Sequence, residues 1–198
     1  MVKRKTRQIF SVGLTLVIIA VVIAALVSLA RVILFPSSTT TTNDTSITSL
    51  LSTSADRAVR MTVRGPLTAD ENYRSYQITI TPNTRNLTTY KGYLDQATDS
   101  IALTNNIPAY EQFVYALNNA NYMKGTELTG ANNDTRGICS AGYVYQFEIL
   151  QSNKTLKKLW ATSCSSPRGS LNATVSVITK LFTNQIPKSN TLIADLWQ

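Results

Sequence analysis

The run Ile9–Ala30, IFSVGLTLVIIAVVIAALVSLA, carries no charged side chain over 22 residues. A helix of that length, rising about 1.5 Å per residue, spans the roughly 30 Å hydrocarbon core of a bilayer. Val32, Ile33, Leu34 and Phe35 extend the apolar character past Arg31, well beyond the roughly 7 to 15 residues of a signal-peptide core. Residues 9–35 are therefore expected to form a retained transmembrane anchor in contact with the lipid bilayer. A cleaved signal peptide is the competing reading, because Ser28-Leu29-Ala30 offers small residues to a peptidase. Lys3, Arg4, Lys5 and Arg7 precede the run, and no acidic residue occurs before Asp44. By the positive-inside rule residues 1–8 form a cytoplasmic tail and the remainder is extracytoplasmic, on a single-pass cell-membrane protein.

The net charge of +8 suggests a polyanion partner until it is divided along the chain. Five basic residues flank the apolar run, and from Pro36 onward 14 basic residues face 11 acidic ones. So mild a surplus predicts no specific nucleic-acid partner. The chain has no histidine, hence neither the commonest general base near neutral pH nor the commonest metal ligand. Two cysteines cannot complete a structural zinc tetrahedron without it. No cofactor, no metal site and no catalytic residue is expected.

Residues 36–56 read as a Ser/Thr-rich stalk. In Ser37–Ser54, 13 of 18 residues are Ser or Thr, a composition that gains little from packing. From 57 to 198 the pattern is that of one α+β domain. Val59, Met61 and Val63 alternate with Arg60, Thr62 and Arg64, and Tyr76, Ile78 and Ile80 with Gln77, Thr79 and Thr81, which predicts a hairpin of two strands. Weaker strands are expected over 88–93 and 100–103. Asn106 and Pro108 open a helix in which Tyr110, Phe113, Val114 and Leu117 form an apolar stripe to about Asn119. Tyr143, Tyr145, Phe147 and Ile149 alternate again, and a turn at Ser152-Asn153 returns the chain through 156–162. Ser170 is expected to cap a second helix carrying Leu171, Val175, Ile178, Leu181 and Phe182, ending before Pro187. The order is hairpin, strands, helix, hairpin, helix: a small antiparallel sheet with two helices on one face.

Cys139 and Cys164 flank the second hairpin. A turn between Ser152 and Asn153 sets Cys139 opposite a residue two positions past Cys164, a mismatch one bulge absorbs, so the pair is expected to form a disulfide in an exported domain. The segment Trp160-Ala161-Thr162-Ser163-Cys164, with Arg168 downstream, resembles the strand end of sortase transpeptidases. That chemistry would pair Cys164 with a histidine, and the chain has none.

Arg60, Arg64 and Arg74 with the nine tyrosines are candidates for contacting an anionic surface polymer. A non-enzymatic binding or structural envelope protein is the first expectation, with an envelope protein or an anionic surface polymer as partner. A cell-wall hydrolase using carboxylates or a Ser-Lys pair is the alternative. A pilin-like subunit ranks lower, since Ile9–Val32 lacks the glutamate usual near the start of such helices. A basic leader, one anchor, a Ser/Thr stalk and a Tyr- and Asn-rich ectodomain, with VRGPLTADENYRSYQITITPNTRNLTTYKGY as its characteristic phrase, resemble single-pass envelope proteins of Saccharibacteria-type candidate-phylum bacteria. The resemblance implies an outward-facing contact role and assigns no functional residue.

Overall fold

The computed structural model describes residues 42–198. The cytoplasmic tail (1–8), the anchor (9–35) and the first part of the stalk lie outside the described residues. Among those described, no helix is long and apolar enough to cross a membrane.

The body is α+β, as the patterning implies. Six strands, β1 (Arg57–Arg64), β2 (Arg74–Ile80), β3 (Thr84–Lys91), β4 (Gln96–Thr104), β5 (Val144–Gln151) and β6 (Lys154–Thr162), form one antiparallel sheet in the order β4-β3-β2-β1-β5-β6. Four helices stand among the described residues: α1 (Thr42–Leu51), α2 (Ile107–Asn119), α3 (Val175–Thr183) and α4 (Ser189–Leu196). The alternation expected in β1 and β2 is realised with Met61 opposite Ile78 and Phe147, and Leu87 opposite Ile78. These side chains share a core with Leu50, Phe113, Leu117, Ile178 and Phe182 from α1, α2 and α3, with Leu192, Ile193 and Leu196 of α4 packed against it. All four helices thus cover the same sheet face.

Two helices exceed the expected pair. In α1 the Ser/Thr composition is overridden by Leu50, buried in the core, and Leu51, packed against it. Among the described residues the packed core thus takes in part of the Ser/Thr-rich segment as well as residues 57–198, because tertiary packing outweighs weak intrinsic propensity. In α4, Leu192, Ile193 and Leu196 supply an apolar stripe that short helical spacing after Pro187 concealed.

The expected cap at Ser170 is also corrected. The Trp160 N–H donates to Ser170 Oγ at 3.0 Å, and residues 168–171 run beside β6, where Ala161 bridges Gly169. The hydroxyl satisfies a sheet edge, which shields β6 from pairing with another chain, and α3 starts only after Thr174.

Helix α2 opens as the sequence suggests and closes on a further feature. Asn106 Oδ1 accepts the Ala109 N–H at 2.9 Å as its N-cap. At the other end Asn121 adopts φ +59°, the Tyr122 N–H bonds Leu117 O, and the Asn121 N–H bonds Asn118 O. This is a Schellman closure with Asn in the left-handed position, and it turns Tyr122 down into the core.

The C-terminus is clasped by Trp197, whose ring packs edge-on against Tyr143 at 5.2 Å and Tyr76 at 6.3 Å. Gly65 leaves the room, since a Cβ there would stand 2.5 Å from the indole. Gly65→Ala is expected to displace Trp197 and destabilise the domain by about 1–2 kcal/mol. Chemical unfolding would give the loss, and a red-shifted tryptophan emission would locate it, the other tryptophan being the buried Trp160.

Candidate functional site

The sheet face opposite the helices is ordered by the register into rows that cross the strands. The central row reads Thr88, Gln77, Thr62, Gln146 and Trp160. On one side lies Asn86, Thr79, Arg60, Glu148 and Lys158, and on the other Tyr90, Ser75, Arg64, Val144 and Thr162. Alternation puts these residues on one face, so a stripe of neutral amides and hydroxyls is flanked by charge.

The long connection between α2 and β5 folds over the β5–β6 part of this face. Lys158 Nζ donates to Asn133 O at 3.3 Å, and Gln146 Nε2 donates to Thr135 Oγ1. The result is a hollow of about 450 Å³ with the sheet as floor and Asn133, Asp134, Thr135 and Arg136 as one wall, within the usual range of ligand sites.

Its charges are largely spent on one another. Arg60 Nε donates to Glu148 Oε2 at 2.7 Å, and Thr155 Oγ1 donates to the other carboxylate oxygen at 3.0 Å. Arg136 forks onto Asp134, and its hydrogen bonds hold that carboxyl down at about 2. Arg64 stands 4.0 Å from Asp95, and Lys158 has no ion-pair partner among the described residues. Four cations against three carboxylates leave the lining with one surplus positive charge.

Of the three arginines expected to contact a polyanion, the structure brings Arg60 and Arg64 into the hollow and excludes Arg74. Arg74 neighbours Ser75 and so faces away, where its guanidinium is taken by the carbonyls of Glu71 and Tyr73. Gln77 and Gln146 carry no functional expectation from the sequence, and Lys158 reads there as one of several lysines weighed for a Ser-Lys pair and better explained as a surface residue. Alternation and the β1–β2 hairpin set Gln77 on the polar face next to Arg64's strand, whereas the approach of β5 to β1 is what adds Gln146 and Lys158.

The hydrolytic alternative finds little to work with here. Glu148 is held by Arg60 and Thr155, and an Asp134 that stays ionised is a poor proton donor. Burial pushes the Lys157 ammonium below the ordinary lysine range, but that group donates to Met123 O at 2.9 Å, and Lys158 likewise meets a main-chain carbonyl. Neither forms a Ser-Lys dyad. No group of three or more Cys, Asp or Glu that could hold a metal occurs among the described residues.

Cys139 and Cys164 form the expected disulfide, with Cα atoms 5.6 Å apart. It consumes the thiol that sortase-like chemistry would have required. The geometry differs in detail from the hairpin argument. A bulge between Ile149 and Leu150 shifts the register away from Cys164, so that the Ser163 N–H bonds Tyr143 O. A tight turn then brings Cys139 back, its carbonyl accepting the Gly142 N–H at 3.1 Å. Comparison of the chain with protein-family models, with curated proteins and with solved structures finds no match.

Proposed function

We propose that this chain is a membrane-tethered binding domain of a cell envelope, held by residues 9–35 with its N-terminus cytoplasmic and its folded body outside. The observation that carries the binding role is the asymmetry of the sheet. One face is sealed by four helices, while the other keeps a concave, polar hollow with one surplus positive charge. A purely structural module has no need to leave buried polar side chains converging on open space, since each costs desolvation. The uncharged run at 9–30 and the basic residues before it support the tether, and the disulfide suits an oxidising compartment. In this reading the partner is an envelope protein or an anionic surface polymer, as on the outward-facing proteins of Saccharibacteria-type bacteria that the chain resembles.

The test is protease shaving of intact cells expressing the full chain with a tag at each end. The expected result is loss of the C-terminal tag with the N-terminal tag protected. In the same cells Cys139 and Cys164 should react with a maleimide only after reduction. A C-terminal tag protected until the cells are lysed would sink the proposal.

A further inference from the structure

We infer that the hollow on the open sheet face binds a segment of a sparsely carboxylated saccharide, with Arg64 and Lys158 meeting the acid groups, Gln146 meeting hydroxyls between them and Gln77 meeting hydroxyls on the far side of Arg64's strand. This rests on the reading of the domain as an envelope-binding module and names its ligand class.

Two cations of the hollow are not held in a close ion pair: Arg64, whose guanidinium is 4.0 Å from Asp95, and Lys158. Arg64 and Lys158 lie two strands apart, and Lys158 is four residues from Thr162, which shares Arg64's row. With roughly 4.8 Å between strands and 3.3 Å per residue, the two charges are separated by roughly 10 Å across the sheet and 13 Å along it. A densely charged polyanion would meet Glu148, beside Lys158 in its row, within that interval, and Asp95, 4.0 Å from Arg64, at its edge. A chain with acid groups far apart would not.

Gln146, on β5, stands within that interval, and Gln77, on β2, continues the polar row beyond Arg64's strand. Gln77 Nε2 donates to Thr62 Oγ1 at 3.1 Å and Gln146 Nε2 to Thr135 Oγ1. Each amide is thereby fixed in orientation by its nitrogen, leaving its oxygen as an acceptor, and an acceptor row flanked by hydroxyl donors is what a polyol requires. Both amides are held on strands, so little ordering entropy is lost on binding. Tyr90 at the rim adds a ring face on which a sugar can lie.

The test titrates the purified full chain, in a nanodisc, with three probes: a hyaluronan hexasaccharide with one carboxylate per disaccharide, the neutral chitin hexasaccharide, and polyphosphate. The hyaluronan oligomer is expected to bind, with affinity falling only about tenfold between 50 and 200 mM salt, because about two cations are engaged. Arg64→Gln and Lys158→Gln should each weaken it about five- to tenfold, and Gln77→Ala by a similar factor, with thermal unfolding unchanged. Equal binding of the chitin oligomer would remove the cations from the site. Tighter binding of polyphosphate, with a salt loss near a thousandfold, would mean an ordinary polyanion surface and overturn the inference. No binding of the hyaluronan oligomer at millimolar concentration would also overturn it. If the shaving result stands in that case, the tethered binding domain survives and only its ligand class falls.

Discussion

Tyr122→Ala is expected to destabilise the domain by about 4 kcal/mol, and Tyr122→Phe by about 1–2 kcal/mol, both measured by urea unfolding of the oxidised protein. The side chain is wholly buried, edge-on to Phe147 at 5.8 Å and tilted against Phe182 at 5.6 Å. Its truncation removes a large apolar ring from the contact between α3 and the sheet. The hydroxyl has a separate part. It lies 2.9 Å from Arg60 O and 3.0 Å from Glu148 O, and it accepts the Glu148 N–H at 3.1 Å. Burial pushes its ionisation well above the usual tyrosine range, so it stays a neutral donor at any pH the domain meets. The phenylalanine variant keeps the packing and deletes only this anchor, and the difference between the two variants separates ring from hydroxyl. Arg60 and Glu148 are the residues whose side chains pair on the opposite face. The phenylalanine variant should therefore also speed amide exchange at Glu148. An unfolding free energy within 0.5 kcal/mol of the parent for Tyr122→Phe would show that the ladder between β1 and β5 needs no pin from below.

That pin also shows what the sequence could and could not reveal. Every strand was legible as a segment, because alternation of Val59, Met61 and Val63, or of Tyr145, Phe147 and Ile149, is a local property of the chain. The turn at Ser152-Asn153 was legible too, and both residues take positive φ. The neighbour relation of β1 and β5 was not. It joins residues such as Arg60 and Glu148, 88 positions apart, and depends on which edge of the first four strands the second hairpin finds free. The hollow inherits that blindness: Arg60 read as a free cation because its carboxylate partner comes from the far hairpin, and Lys158 read as surface because its row was unknown. The α1 segment escaped notice for a different reason. In α1 five hydroxyl residues surround only Ile47, Leu50 and Leu51, a stripe of a single turn, and only the presence of α2 beside it makes a helix worth forming.

Loss of the disulfide should cost roughly 3 kcal/mol, from the chain entropy released when a loop of 25 residues is no longer closed. The expected measurement compares the parent with the Cys139→Ser/Cys164→Ser double variant in urea, without reductant, so that only the cross-link differs. Cys139 is held at φ +57°, a conformation side chains other than glycine and asparagine seldom adopt unaided. Gly142 lies so close that a Cβ there would come 2.4 Å from Ser163 Oγ and 2.8 Å from Cys139 Sγ. The turn is thus shaped around the bond. Through Ser140 O, which accepts the Leu67 N–H at 2.8 Å, it also ties down the connection after β1. The wall of the hollow, Asn133 to Arg136, ends three residues before Cys139. With the bond gone, that wall is fastened to the sheet mainly by Gln146 on Thr135 and Lys158 on Asn133. Hydrogen exchange across residues 130–142 should rise in the double variant while the ladders of β1, β2 and β5 stay protected. Affinity for the hyaluronan oligomer should fall with it. If exchange rises uniformly across the sheet instead, the bond is a global staple. The hollow would then owe its shape to the sheet alone, and reduction would change stability without changing binding in the molecules that remain folded.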